Sequence, residues 1–282
     1  MAGRSCLGWG RRGLRLADKP GVGKRRWQSA ALEMAYILAH VFYLPAFLMR
    51  ILPFLFLLLG FSCTQPTSDP APRPSVPTAP APNSAPISYL ALGDSYTIGE
   101  GVGEADRWSV QLARQGQTAG IQPPDIIAQT GWTTAQLLQA IRASNTTRTY
   151  ELVSLLIGVN NQYQGLPLTT YRAEFRELLQ TATRFAGGRP GRVVVLSIPD
   201  WGQSPYARRL DPARIASEID QYNAVARQEC TQAGVAFVDI TDLTRAAGGD
   251  PTQFANDGLH YSGKQMQQWA LRAWPVVRQL LP

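Results

Sequence analysis

Ile87-Ser88-Tyr89-Leu90-Ala91-Leu92-Gly93-Asp94-Ser95-Tyr96 passes from an apolar run straight into a glycine, a carboxylate and a serine. A short run that is apolar on successive residues, not on alternate ones, is the pattern of a parallel strand covered on both faces. Gly93 allows a tight turn out of that strand, and the helix that should follow offers its first amides to negative charge. A serine at the tip of a strand becomes a nucleophile only where a base takes its proton. The chain has two histidines, His40 and His260, and the second closes the string Asp257-Gly258-Leu259-His260 near the C-terminus.

Working outward, the same alternation of short apolar runs and longer helical segments continues to Pro282. Strands are expected at Ser88–Leu92, Asp125–Ala128, Leu152–Ile157, Val193–Ile198 and Val235–Ile240. Helices are expected near Trp108–Thr118, Thr134–Ala143, Thr170–Phe185, Pro212–Ala233 and Gln265–Leu281. Strand followed by helix, repeated five times, predicts an α/β fold with a five-stranded parallel sheet over residues 87–282. In such a sheet the ligand site lies beyond the carboxyl ends of the strands. The polar punctuation after the strands is therefore where chemistry belongs: Gly93-Asp94-Ser95-Tyr96, Gln129-Thr130-Gly131-Trp132 and Gly158-Val159-Asn160-Asn161, joined by Asp257 and His260 before the last helix.

These four segments, in this order, resemble the sequence blocks of the SGNH (GDSL-type) hydrolase superfamily. Gly93-Asp94-Ser95 is similar to its first block, Gly131 to the second, Gly158-Val159-Asn160 to the third and Asp257-Gly258-Leu259-His260 to the last. The resemblance implies a three-layer flavodoxin-like fold and serine esterase or lipase chemistry. Tyr96 replaces the leucine of the name motif, and Asn161 stands where many members carry Asp. The nucleophile and the oxyanion-hole asparagine, Asn160, are both intact.

Each residue also has a plainer reading. Ser95 alone would be a turn or cap serine; with the other blocks it reads as the nucleophile. His260 alone would be a surface histidine at a helix start; beside Asp257 it reads as general base and then general acid, with Asp257 fixing its tautomer. Gly131 and Asn160 taken singly are a turn glycine and an Asx-turn asparagine. Together with the Ser95 amide they read as an oxyanion hole, where each fixed donor counts for about 3–4 kcal/mol. Asp94 is expected to hold the loop by hydrogen bonds. Trp132, Tyr163, Trp201 and Tyr261 fall on loops at the same edge, where pocket lining and packing onto the domain read equally well. Tyr171, Phe175, Leu178 and Leu179 form a core-facing helical stripe, and Arg208 and Arg209 read as solvated surface.

The rest of the chain differs in composition. The net charge of +7 is concentrated in residues 1–33, which carry eight Lys/Arg against Asp18 and Glu33; residues 34–282 have a net of +1. No basic footprint for nucleic acid remains in the domain. Ile51–Phe61 is an eleven-residue apolar run, too short to span a bilayer comfortably and of the length of a signal-peptide core. Phe61-Ser62-Cys63 after it resembles a lipoprotein lipobox, with Cys63 the lipidated residue, although Gly60 stands where leucine is usual. On that reading Met49 or Met34 is a natural start and residues 1–33 are an over-extended leader. A signal anchor over residues 35–61 is the alternative. Residues 64–86 hold eight prolines and read as an extended linker, so the domain is expected to be exported and tethered at a membrane. Cys6, Cys63 and Cys230 lie far apart, which favours neither a disulfide framework nor a metal site, and no cofactor is expected.

The sequence therefore points to a serine esterase acting on short-acyl, lysophospholipid or glycan esters through an acyl-enzyme. Acyl transfer to another alcohol is a close variant. A non-catalytic, glycan-binding surface lipoprotein is the alternative of a different class, and a complete set of Ser95, Asn160, Asp257 and His260 speaks against it. A redox flavoprotein is disfavoured because the loop after the first strand lacks a phosphate-cradling run of Ser, Thr and Gly.

Overall fold

Strand β1 (Tyr89–Gly93) is buried along its whole length and lies between β2 (Asp125–Ala128) and β3 (Leu152–Leu156). With β4 (Val193–Leu196) and β5 (Ala236–Val238) it makes a five-stranded, all-parallel sheet in the order β2-β1-β3-β4-β5. The α/β fold expected from the sequence is the one observed. These features come from a computed structural model, which describes residues 85–281. The expectations for residues 1–63, Cys63 among them, and for nearly all of the linker lie outside those residues.

The central strands β1, β3 and β4 are continuously buried, while the edge strands β2 and β5 are partly exposed. β3 stops one residue short of its apolar run, at Leu156, and β4 and β5 stop two residues short because polar side chains take over the backbone. The Ile198 amide donates to Asn223 Oδ1 at 2.7 Å, and the Ile240 amide donates to Ser197 Oγ at 2.8 Å, so neither residue continues its ladder. Gly93 is needed for a reason other than a turn. A Cβ there would stand 2.2 Å from Thr97 Oγ1 and 2.5 Å from the Leu156 carbonyl oxygen, so only glycine lets β3 and the following helix approach so closely.

The long helices are α2 (Trp108–Gln115), α3 (Thr134–Ser144), α5 (Leu168–Phe185), α6 (Pro212–Ala233) and α8 (Gly263–Leu280). Of three short ones, α1 (Ser95–Ile98) is the helix expected after Gly93, whereas α4 (Val159–Tyr163) and α7 (Thr241–Ala246) were not expected; neither of these two is long enough to show a helical period. The helices pack in two groups, α2 against α8, and α3, α5 and α6 side by side. Tyr171, Phe175, Leu178 and Leu179 of α5 are buried as their spacing requires. Among the described residues no helix is long and apolar enough to cross a membrane.

Two features of this frame place the site. The chain leaves β1 for β2 and then returns to β3 on the other side of β1, so a crevice opens at the carboxyl ends of β1 and β3. The packing of α2 on α8 joins the beginning of the domain to its end. Gln111 of α2 reinforces it, donating to the Gly263 carbonyl at 2.9 Å and to the Asp106 carbonyl at 2.7 Å. The segment before α8, which carries His260, is thereby held beside the segment after β1, which carries Ser95.

Candidate active site

Ser95 is the first residue of α1, and Asp94 is its cap. Asp94 engages the amides behind the serine: its Oδ1 accepts from the Tyr96 amide at 3.1 Å, and its carbonyl accepts from Thr97 at 3.0 Å and Ile98 at 2.9 Å. The Ser95 amide is left as the outermost donor of the helix start. Ser95 is almost fully buried, with 4% of the residue exposed.

Asp94 does more than hold a loop. It is fully buried, and its Oδ2 has no hydrogen-bond partner. Burial pushes its carboxyl up to about 7, against the opposing pull of the Tyr96, Asp94 and Gly158 amides. A carboxyl that is half protonated near neutrality thus sits buried next to the serine.

His260 and Asp257 come together in one turn. Asp257 Oδ1 accepts from the amides of Leu259 and His260, each at 2.9 Å, and Oδ2 stands 2.5 Å from His260 Nδ1. The three-residue spacing therefore works through a turn that hydrogen-bonds to its own carboxylate. Burial pushes the Asp257 carboxyl up, but the imidazole and the two amides outweigh it and hold the carboxyl below its ordinary range. Once Nδ1 is committed to Asp257, Nε2 is the nitrogen that can accept a proton. The imidazole is 5.7 Å from the Tyr96 ring in edge contact. Its loop is closed by the Ala255 amide donating to the His260 carbonyl at 2.8 Å and the Tyr261 hydroxyl donating to the Asp200 carbonyl at 2.7 Å.

Asn160 stands at the start of α4, directly after β3. Its Nδ2 donates to the Trp132 carbonyl at 3.0 Å, which uses one of its two N–H bonds. Gly131, next to Trp132, has φ +84°, and nothing approaches within 4 Å of where its Cβ would be. The positive φ is the physical reason for glycine at this position. Asn161 is buried and turned away from the site, bonded twice to Thr134 at the start of α3.

Ser95, Asn160 and His260 line one cavity of about 180 Å³, with Tyr163, Trp201 and Leu259 among its other walls. The structure thus brings together the serine, the asparagine and the Asp257-held imidazole. Gly131 sits outside the wall of this cavity, linked to it through Trp132 and Asn160. The imidazole bonds to Asp257; a serine–histidine bond commonly tightens only when substrate is present. Of the loop aromatics, Tyr163 and Trp201 reach the cavity, whereas Tyr261 is fully buried beneath it. Tyr206 is a neighbour that sequence reasoning missed. Its position on the loop after β4, five residues beyond Trp201, was the available signal. A larger groove, about 580 Å³, runs between α5 and α6 past Arg176 and Glu229 and holds none of these groups.

A model of the GDSL-like lipase/acylhydrolase family matches residues 91–268. The bovine (Bos taurus) isoamyl acetate-hydrolyzing esterase 1 homolog is 22% identical over 160 residues, 52% of this chain and 64% of the relative. The chain thus spans less than two thirds of that relative's length. The lipase/acylhydrolase from Enterococcus faecalis superposes with a TM-score of 0.53 at 20% identity, over 70% of this chain and 97% of that one. A variant of Axe2, an acetyl xylan esterase from Geobacillus stearothermophilus, gives 0.54 at 18% identity, over 68% of this chain and 94% of its own.

Proposed function

Because the chain belongs to the GDSL-like lipase/acylhydrolase family, we propose that it is a serine esterase that hydrolyses carboxylic esters through an acyl-enzyme. The observation that carries this reading is the His260 imidazole, held by Asp257 at 2.5 Å and facing the same cavity as Ser95. Ser95 Oγ attacks the ester carbonyl carbon while its proton passes to His260 Nε2. The carbonyl electron pair moves onto oxygen, and the resulting oxyanion is received by the Ser95 amide and the second N–H of Asn160 Nδ2; the Gly131 amide, outside the cavity wall in this structure, joins them once its loop moves inward. Collapse of this intermediate breaks the bond to the alcohol oxygen, which takes the proton from His260. Water then attacks the acyl-enzyme by the same route in reverse roles, releasing the acid and restoring Ser95. Asp257 stays ionised throughout and stabilises the imidazolium.

The test is direct. The wild type should turn over p-nitrophenyl acetate and give a Ser95 adduct with a fluorophosphonate, and Ser95→Ala should do neither while remaining folded. Turnover by Ser95→Ala at the wild-type rate would sink the reading.

We further propose that the domain is exported and held at a membrane by lipidated Cys63. The eleven-residue run Ile51–Phe61 and the proline-rich linker of residues 64–86 support this. The mass of the membrane-bound protein tests it, and an intact Ser62–Cys63 bond overturns it.

A further inference from the structure

Beside the cavity of Ser95 lies a second chamber of about 320 Å³, and Tyr163 and Trp201 line both. Its remaining walls include Tyr206, Leu210, Arg214 and Glu218. Among the described residues four large apolar or aromatic side chains stand exposed, and three of them, Tyr163, Tyr206 and Leu210, border this chamber. Exposed apolar groups gathered at one place mark a binding surface more often than chance packing does.

The rings are fixed in position. Trp201 lies 5.4 Å from the Tyr163 ring in edge contact and 6.4 Å from the Tyr206 ring. The two tyrosine hydroxyls are hydrogen-bonded at 3.1 Å. Trp201 Nε1 donates to Gln162 Oε1 at 2.7 Å, and Gln162 Nε2 donates to Glu218 Oε2 at 2.7 Å. Glu218 Oε1 lies 3.9 Å from Arg214 Nη1. An aromatic wall therefore faces a charged donor and a charged acceptor across a small space.

Two observations say which half of an ester belongs there. The Tyr206 amide donates to the Gly258 carbonyl at 2.9 Å, so this wall is built onto the loop that carries His260. His260 is the group that returns a proton to the departing alcohol, so a wall fixed to its loop suits the alcohol half of the ester. The lining also suits one kind of alcohol. A fatty chain would meet the charged Arg214 and Glu218 while offering neither a hydrogen bond. A sugar ring offers C–H faces to the tyrosines and hydroxyls to the charged pair.

We propose that this chamber binds the alcohol half of the ester as a pyranose ring, so that the substrate is an acylated sugar. The proposal rests on the esterase reading of Ser95 and His260. Its test compares acetate release from methyl 6-O-acetyl-glucopyranoside and from ethyl acetate by pH-stat titration, in the wild type, Tyr206→Ala and Arg214→Ala. Arg214 is a surface side chain, 68% exposed, so its removal keeps the fold. The expected result is a higher kcat/KM for the sugar ester in the wild type. The ratio of the two should fall about tenfold in each variant, mostly through KM. A ratio that is the same in all three proteins overturns the proposal. Preference for ethyl octanoate over ethyl acetate, lost in the same variants, overturns it in favour of an acyl channel. If the wild type releases acetate from neither ester and takes no fluorophosphonate at Ser95, the esterase reading itself fails, and this one with it.

Discussion

The Asn161 side chain grips Thr134 from both sides: its Oδ1 accepts from the Thr134 amide at 3.0 Å, and its Nδ2 donates to the Thr134 hydroxyl at 2.7 Å. The same hydroxyl gives its only proton to Glu174 of α5. With that proton spent, Thr134 Oγ1 needs a donor on its other side, and an amide supplies one where a carboxylate does not. Asn in place of the Asp expected from the family resemblance is thus matched to Glu174. Asn161→Asp should destabilise the domain by about 1–3 kcal/mol at neutral pH, because two acceptors then compete for one hydroxyl proton. Calorimetry would read this as a lowered Tm, and the deficit should shrink in acid as the new carboxyl is protonated and donates again. A Tm deficit that does not change with pH would show that the hydroxyl is not the cause.

Asp257 holds one oxygen on two amides and the other on His260 Nδ1. Asp257→Asn should keep the turn but present an amide to Nδ1, favouring the wrong tautomer and lowering kcat about 10⁴-fold. KM should change little. Single-turnover kinetics on p-nitrophenyl acetate would check it, and a loss confined to KM would contradict the assigned role.

Asn160 is half-buried, and its side chain makes one hydrogen bond, to the Trp132 carbonyl. Asn160→Ala should therefore alter Tm only slightly, yet lower kcat by about 10²–10³-fold through loss of an oxyanion donor. Equal losses of stability and activity would instead assign Asn160 to the loop.

Asp94, raised by burial from 3.8 to about 7, links stability to pH with a definite sign. Between about pH 4 and 7 the folded protein keeps a proton there that the unfolded chain has released, so this contribution falls as pH rises through that window. Below it the contribution is fully present, and above it nothing further is lost. Asp94→Asn keeps an acceptor for the Tyr96 amide and cannot ionise. Melting curves of the two proteins should converge toward pH 4, with the wild type falling behind progressively up to neutrality. Parallel curves across that range would rule the linkage out.

The parts of the fold legible in sequence were those written locally. Continuous apolar runs marked β1, β3 and β4, and the polar residues after them marked the edge where Ser95, Asn160 and His260 meet. Where tertiary partners decide, sequence was silent. The ends of β4 and β5 are set by Asn223 and Ser197, which lie on other elements. Gly93 looked like a turn residue, but the crowding of Thr97 and Leu156 accounts for it better. Tyr206 lies in a short 3₁₀ turn, Pro205–Arg209, with no periodicity to announce its contact with Gly258. The short helices α4 and α7 were invisible for the same reason.

The packing of α2 on α8 has a bearing on how the protein comes to be active. Ser95 follows the first strand and His260 precedes the last helix, so the nucleophile and its base are among the most distant partners along the domain. Loop-closure entropy makes contacts of this range slow to form. The Asp257–His260 turn can form locally and early, but it has no serine to work on until the sheet is complete and its two ends have docked. Catalysis is then a readout of the finished fold. During refolding, recovery of turnover should coincide with the slowest structural phase, and a chain stopped short of α8 would carry both Ser95 and His260 without the packing that brings them together.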